Sequence, residues 1–471
     1  MKRLGKLIAL TLCVFVLAGV FSACGESGPL IESKLDIPVY SKNGERMTLG
    51  VYHAPSPQWK DTQRNFDDIA EIGLNLLLNE QGTMNFAVNP QGNVKYLDFA
   101  LEAGKKVDWG LKMMVCDRDL QNNLASASPS GFNTKNLKYY INHPAVFGVE
   151  VRDEPNPPEF HNLKLLQDKW NMEVEKGVIP ADKMFYVNVW IQDGMFLDEY
   201  MQTVKPPVLS YDHYPFIEDL FTGECSIKPN SLGFFDESAY TAKKYSAEWG
   251  REVPVHSIIL SAEHMVHSGK YKKINSADLR WQIGAAMSFG IKFISCYNFS
   301  LITDDPAHYY IQHVIDPDTG EKTQLYYDMQ EVMLELREWD YVYMNFDWLD
   351  TATVYGSRGE WNLLLSYVEN ASNIEPKDLE GIKSVVSSED GFISAHKDAK
   401  GRLGYLAYNA AAPWEEKTAK TTIQFEDNRI KAVQVYEGGL PVVKPLEKNQ
   451  KITLNLGSGE SRFIIPLYYK A

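Results

Sequence analysis

The chain is poor in everything that would announce a metal, a redox cofactor or a nucleic acid. Its 471 residues include 5 cysteines, and none of these has the short spacing of a metal-ligand set. Lysine and arginine form no basic block and the net charge is −15, which argues against a nucleic-acid partner. No glycine-rich turn follows a strand-like run, so a dinucleotide is not expected. A Gly-x-Ser-x-Gly elbow is also missing, which disfavours a serine hydrolase. The apolar run Leu7–Phe21 is too short to span a bilayer comfortably. Repeats and low-complexity segments are absent. Such a chain is expected to work without a cofactor and without a metal.

The sequence does have alternation. Eight strand-like runs are read at Met47–His53, Leu74–Asn79, Trp109–Cys116, Val146–Arg152, Met184–Trp190, Val208–Asp212, Val255–Leu260 and Ile291–Tyr297. Helical patterns separate them, the last near Leu325–Trp339. The helix after the seventh run opens at Asn275-Ser276-Ala277-Asp278, an N-cap with an acidic first turn, and stops at Gly290. Eight such pairs predict an α/β fold, a (β/α)8 barrel over residues 47–346. Beyond 347 the helical period fades. Short strands near 352–355, 391–395, 403–407, 421–425, 432–436, 452–456 and 462–467 predict a smaller β-sandwich over 347–471.

Residues 1–24 read as a leader: Met1-Lys2-Arg3 and Lys6, the apolar stretch, then Phe21-Ser22-Ala23-Cys24-Gly25. The last five resemble a bacterial lipoprotein processing site. That resemblance implies a lipid on Cys24, a tether and lead-in over 25–46, export, and a cell-surface location on the bacterial membrane. Cys116 and Cys296 fall inside strand-like runs and read as buried thiols.

The chemistry is expected at strand ends. Gly148-Val149-Glu150-Val151-Arg152-Asp153-Glu154-Pro155 is a β-branched run that stops at two adjacent carboxylates. Pro254–Leu260 stops at Ser261-Ala262-Glu263-His264. Active sites of this fold sit at the C-terminal ends of the strands. Strict alternation puts Glu150, Arg152 and Glu154 inward on strand 4, with Glu150 and Arg152 as a buried pair beneath the site. The same rule sends Ser257, Ile259, Ser261 and Glu263 inward on strand 7, and Cys296 and Asn298 on strand 8. Asn188 and Trp190, then Asp212 and Tyr214, follow on strands 5 and 6. Together with Asp153, His213 and Tyr297 they make a polar, aromatic-lined opening suited to a sugar. Two carboxylic acids across such an opening can cleave a glycosidic bond: one protonates the leaving oxygen, the other meets the positive charge on the sugar. The plainer reading is that Asp153-Glu154 caps a helix and Glu263 sits in a loop ion pair.

The layout resembles the clan A, or 4/7, glycoside hydrolases. The strand-4 Asp-Glu-Pro, the Asp212-His213-Tyr214-Pro215 stretch and Leu279-Arg280-Trp281-Gln282 before Gly290 carry the resemblance. It implies Glu154 as acid/base and Glu263 as nucleophile, with retained configuration. Asp212 is the alternative second carboxylate. A different class stays open: a catalytically silent barrel serving as a surface glycan-binding lipoprotein.

Overall fold

The computed structural model describes residues 32–55, 62–78, 86–87, 89–117, 119–120, 135–190, 196–266, 269–300, 308–357 and 363–470. The leader and Cys24 lie outside the described residues. Eight parallel strands close a barrel in the spatial order 1-8-7-6-5-4-3-2. They run Thr48–Tyr52, Leu76–Leu78, Lys112–Cys116, Val146–Asp153, Met184–Val189, Leu209–His213, Val255–Leu260 and Phe293–Tyr297. Each matches a run expected from sequence to within a few residues. Short β-rich stretches bounded by Gly and Pro are what a strand covered by helices demands. The helix Ser276–Ser288 begins as read: the Asn275 side chain accepts from the backbone N–H of Ala277 (3.0 Å) and Asp278 (3.2 Å), and Asp278 accepts from the Asn275 N–H at 3.0 Å.

The N-terminal end of the barrel is fastened by charge. Asp340 is buried between Arg46 and Arg337, each 2.6 Å away. Arg337 also donates to the carbonyls of Gly73 (2.7 Å) and Met47 (2.8 Å), at the entrances to strands 2 and 1. Buried charges are tolerable in this arrangement because each is paired and further hydrogen-bonded.

Segments after strands 6, 7 and 8 add a five-stranded antiparallel sheet, ordered Tyr309–Tyr310, His264–Val266, Gly269–Tyr271, Phe216–Glu218, Cys225–Ile227. Strands of two or three residues are too short to show a period, so alternation could not reveal this sheet. It walls one side of the barrel mouth.

The C-terminal part is a six-stranded antiparallel sheet facing a three-stranded one. Ile393, Val433 and Ile464 of the large sheet share a core with Ile423, Leu454 and Leu456 of the small one. The other face of the large sheet packs on barrel helices. Trp339 stacks on Tyr436 (5.6 Å) and Phe463 (5.9 Å), and Trp281 Nε1 donates to the Ala410 carbonyl at 3.2 Å. Phe392, Leu406 and Phe463 therefore belong to the barrel's core. Burial on both faces explains why Gly391–Asp398 is buried almost throughout rather than alternately. The two ends of the described chain meet at this sheet: Leu35 bridges Tyr469, and the Asp36 N–H donates to Tyr468 O at 2.8 Å.

Candidate active site

Strand 4 does not keep strict alternation. Glu150 pairs with Tyr186 and Arg152 with Val187, so strand 4 carries an extra residue between them. This β-bulge turns Arg152 outward, where it pairs with Glu159 at 3.1 Å. The expected Glu150–Arg152 pair does not form. Glu150 is fully buried, and neither of its carboxyl oxygens has a hydrogen-bond partner. Burial, then the nearby Asp153, push its pKa well up. Past the bulge Asp153 faces in, opposite Asn188. Glu154 follows at φ +46°, a left-handed conformation costing on the order of 1–3 kcal/mol for a residue with a side chain. The bulge and this turn together bring two adjacent carboxylates to one opening.

That opening is a cavity of about 220 Å³ at the C-terminal ends of the strands. Asp153 and Glu154 line it from strand 4, Asn188 from strand 5, and Asp212 and Tyr214 from strand 6. Tyr52 and Tyr297 close it from strands 1 and 8. The lid sheet and its flanks add His264, Val266, Tyr271 and His308, of which only His264 carried a sequence signal. Tyr214 and Tyr297 stack at 5.2 Å, and Tyr271 stands edge-on to Tyr214 at 5.6 Å.

The carboxylates are tied to a polar column down the barrel axis. Asn188 Nδ2 donates to Asp153 (3.0 Å) and to Asp212 (3.1 Å). Its carbonyl accepts from Ser210 Oγ at 3.0 Å. Tyr186 OH contacts Ser210 (2.7 Å), Tyr52 OH (2.7 Å) and His256 Nδ1 (2.9 Å), and His256 Nε2 reaches Ser295 at 2.8 Å. His256 is fully buried and held neutral by burial.

Electrostatics separate the two main carboxyls. Glu154 stands exposed at the cavity rim. Partial desolvation there, then Asp212 and Asp153, raise its pKa to about 8, against a smaller pull from Arg152. Asp212 rises to about 6 through burial and then Asp153, while hydrogen bonds from Asn188 and Tyr214 hold it down. The two titrate as a coupled pair. Near neutrality the favoured state has Glu154 protonated and Asp212 ionised.

Not every expected residue reaches the cavity. Glu263 is held by Lys270 at 2.7 Å, which also binds Glu218 at 2.8 Å, so this carboxylate clamps the lid sheet and does not line the opening. The reason is strand-7 parity. His256 and Ile258 point into the barrel, the reverse of the expected Ser257 and Ile259. Strand 8 is reversed too: Phe293, Ser295 and Tyr297 face in, and Cys296 joins the helix-side core. Asn298 is fully buried away from the cavity. His213 turns outward, stacks on Phe234 at 4.2 Å and contacts Ser231 Oγ at 2.8 Å. Trp190, 59% exposed, lies in a neighbouring groove that shares Glu154 with the main cavity. Among the described residues, no group of His, Cys, Asp and Glu is arranged to hold a metal ion.

No protein-family model matches the chain, and no curated protein matches it in sequence. Solved structures do resemble its path. A glycoside hydrolase family 5 protein from Bacteroides vulgatus is 13% identical, with 93% of this chain and 95% of that one covered at a TM-score of 0.49. A family 27 β-L-arabinopyranosidase from Geobacillus stearothermophilus is 9% identical, with 90% and 97% covered and a TM-score of 0.49. A third, titled glycoside hydrolase, is 12% identical, with 92% and 97% covered and a TM-score of 0.49. At such identities and TM-scores the assignment of chemistry rests on the cavity itself.

Proposed function

We propose that the protein is a glycoside hydrolase in which Glu154 is the proton donor and Asp212, not Glu263, is the second carboxylate. The observation that carries this is one cavity receiving both groups from strands 4 and 6, with surroundings that keep one protonated and the other ionised. In the first step Glu154 gives its proton to the glycosidic oxygen as the anomeric C–O bond breaks. Asp212 attacks the anomeric carbon from the opposite side. Glu154, now a carboxylate, then takes a proton from water as that water displaces Asp212, and configuration is retained. A separation of about 5–5.5 Å between the two carboxyls is what this retaining course requires, whereas about 6.5–9.5 Å would go with inversion. Asn188, which donates to both Asp153 and Asp212, orients Asp212, and the stacked Tyr214 and Tyr297 wall the cavity with aromatic surface for the sugar.

Assaying the mature protein against a panel of aryl glycosides and plant or host glycans tests the reading. Proton NMR of the first product anomer reports the stereochemistry. An inverted product would make Asp212 a general base toward water. Glycan binding without cleavage of any substrate would favour the silent-barrel reading.

The leader residues support a further part of this proposal: an exported protein held at the cell surface through a lipid on Cys24. Replacing Cys24 by Ala should release it from the membrane fraction, and unchanged association would count against the anchor.

A further inference from the structure

Glu154 lies on two cavities at once, and their linings differ in kind. The main cavity carries Asp153, Asn188, Asp212, His264 and His308, side chains able to hydrogen-bond the hydroxyls of a sugar. On the far side of Glu154 is a groove of about 110 Å³ walled by Pro155, Val189, Trp190, Phe196 and Leu197. Trp190 and Phe196 are 59% and 47% exposed, and both present large apolar surface to this groove. Among the described residues of its lining, Glu154, Asn156 and Tyr200 carry polar side-chain atoms, and the Tyr200 hydroxyl is sealed from the surface.

We propose that the main cavity holds the sugar whose bond is broken, and that the Trp190–Phe196 groove holds the leaving group as an aryl or similarly flat apolar ring. This rests on the hydrolase reading above and adds the class of leaving group to it. A proton donor must sit where the two halves of the substrate meet, and Glu154 is the side chain common to both cavities. The described lining offers a sugar few partners for its hydroxyls, whereas an aromatic ring has no such demand. At about 110 Å³ the groove is smaller than the roughly 150 Å³ closed cavity that takes benzene, so a single ring would sit in it with one edge open to solvent. In the reaction, the proton of Glu154 passes to the glycosidic oxygen as the C–O bond breaks, the bonding pair stays on that oxygen, and the group leaves as a neutral phenol.

Two measurements test this. In the first, 4-nitrophenol alone is titrated into the full mature protein by saturation-transfer NMR, with methyl glucoside as a polar comparator. Wild type should bind the phenol saturably. Trp190→Ala and Phe196→Ala should each weaken it about tenfold, and Trp190→Phe should restore most of the affinity. Equal affinity in Trp190→Ala and wild type, with circular dichroism unchanged, overturns the proposal. In the second, kcat/KM is compared on the 4-nitrophenyl glycoside that is cleaved and on the glycosyl fluoride of the same sugar, which has no ring to seat. Trp190→Ala should lose at least tenfold more on the aryl substrate than on the fluoride, and equal losses refute the assignment. Should wild type cleave no glycoside at all, the hydrolase reading falls, and the binding measurement alone decides the groove.

Discussion

Replacing Asn188 by Leu probes how the site divides its protons. The side chain is buried and donates to Asp212 at 3.1 Å and to Asp153 at 3.0 Å. Leucine keeps the volume, excludes water and offers no donor. A hydrogen bond to a charged group contributes about 1.5–3 kcal/mol. One pKa unit corresponds to about 1.36 kcal/mol, so losing the bond to ionised Asp212 should raise that carboxyl by about 1–2 units. Asp212 begins at about 6 and Glu154 at about 8, so wild type should show a bell-shaped kcat/KM centred near pH 7. Activity falls on the acid side as Asp212 gains a proton and on the alkaline side as Glu154 loses one. In Asn188→Leu the acid limb should move to about 7–8, merging with the alkaline limb. At pH 7 the fraction with Asp212 ionised then drops from about nine-tenths to between about a half and a tenth, a roughly two- to tenfold loss of kcat/KM. Stability responds with its own sign. The Asp212 carboxyl titrates above its ordinary 3.8 in the folded state, so its ionisation opposes folding as pH rises from about 4 through 6. The variant should therefore lose more Tm than wild type between pH 5 and pH 8. A folded Asn188→Leu protein whose acid limb stays at about 6 would refute the assignment of that limb to Asp212 and the role given to Asn188.

Glu154→Gln should lower kcat on substrates with poor leaving groups by about a hundred- to ten-thousandfold, and much less on activated aryl glycosides, in steady-state assays. Asp212→Asn should abolish turnover on both kinds of substrate. Glu263→Gln should keep kcat within about tenfold of wild type and instead lower Tm, because Lys270 loses one of its two partners; the opposite ranking would return the nucleophile to strand 7. Trp339→Ala, at the seam between barrel helices and the large β-sheet, should cost about 3–5 kcal/mol in denaturant unfolding. Probes placed in the barrel and in the β-sandwich should shift together.

The barrel strands were legible because each is a short strand-like run between helical periods, and closure follows from their number. Which way their side chains point was less legible. On strands 7 and 8 the alternation read from sequence places Ser257, Ile259 and Glu263, then Cys296 and Asn298, on the inward parity. Here Ser257 faces the helices, while Ile258 and Phe293 fill the barrel. On strand 4 the parity failed for another reason. One extra residue between Glu150 and Arg152 leaves no mark on composition or period, yet it decides that Asp153 rather than Arg152 faces the cavity. Asp153-Glu154 could be found because adjacent carboxylates at a strand end are chemically conspicuous. Tyr271 and His308 could not, since they come from segments with no period to read. The exposed edge strand Leu440–Pro445 was missed as well, for its two prolines argue against a strand everywhere except at an edge.

The meeting of Leu35 with Tyr469 makes the order of segments along the chain separable from the architecture. A short linker joining these neighbouring ends would allow the chain to be opened elsewhere without breaking a strand pair. The exposed stretch Lys176–Val178, between the helix Phe160–Glu175 and strand 5, is a suitable place for the cut. Such a circular permutant would begin at strand 5, thread the β-sandwich in mid-sequence and finish with strand 4 and the helix Phe160–Glu175. Asn188 and Asp153, neighbours across the cavity, would then stand near opposite ends of the polypeptide. Recovery of the wild-type pH profile by that protein would mean that the carboxylate array is a property of the closed barrel, independent of the sequence in which its strands are made.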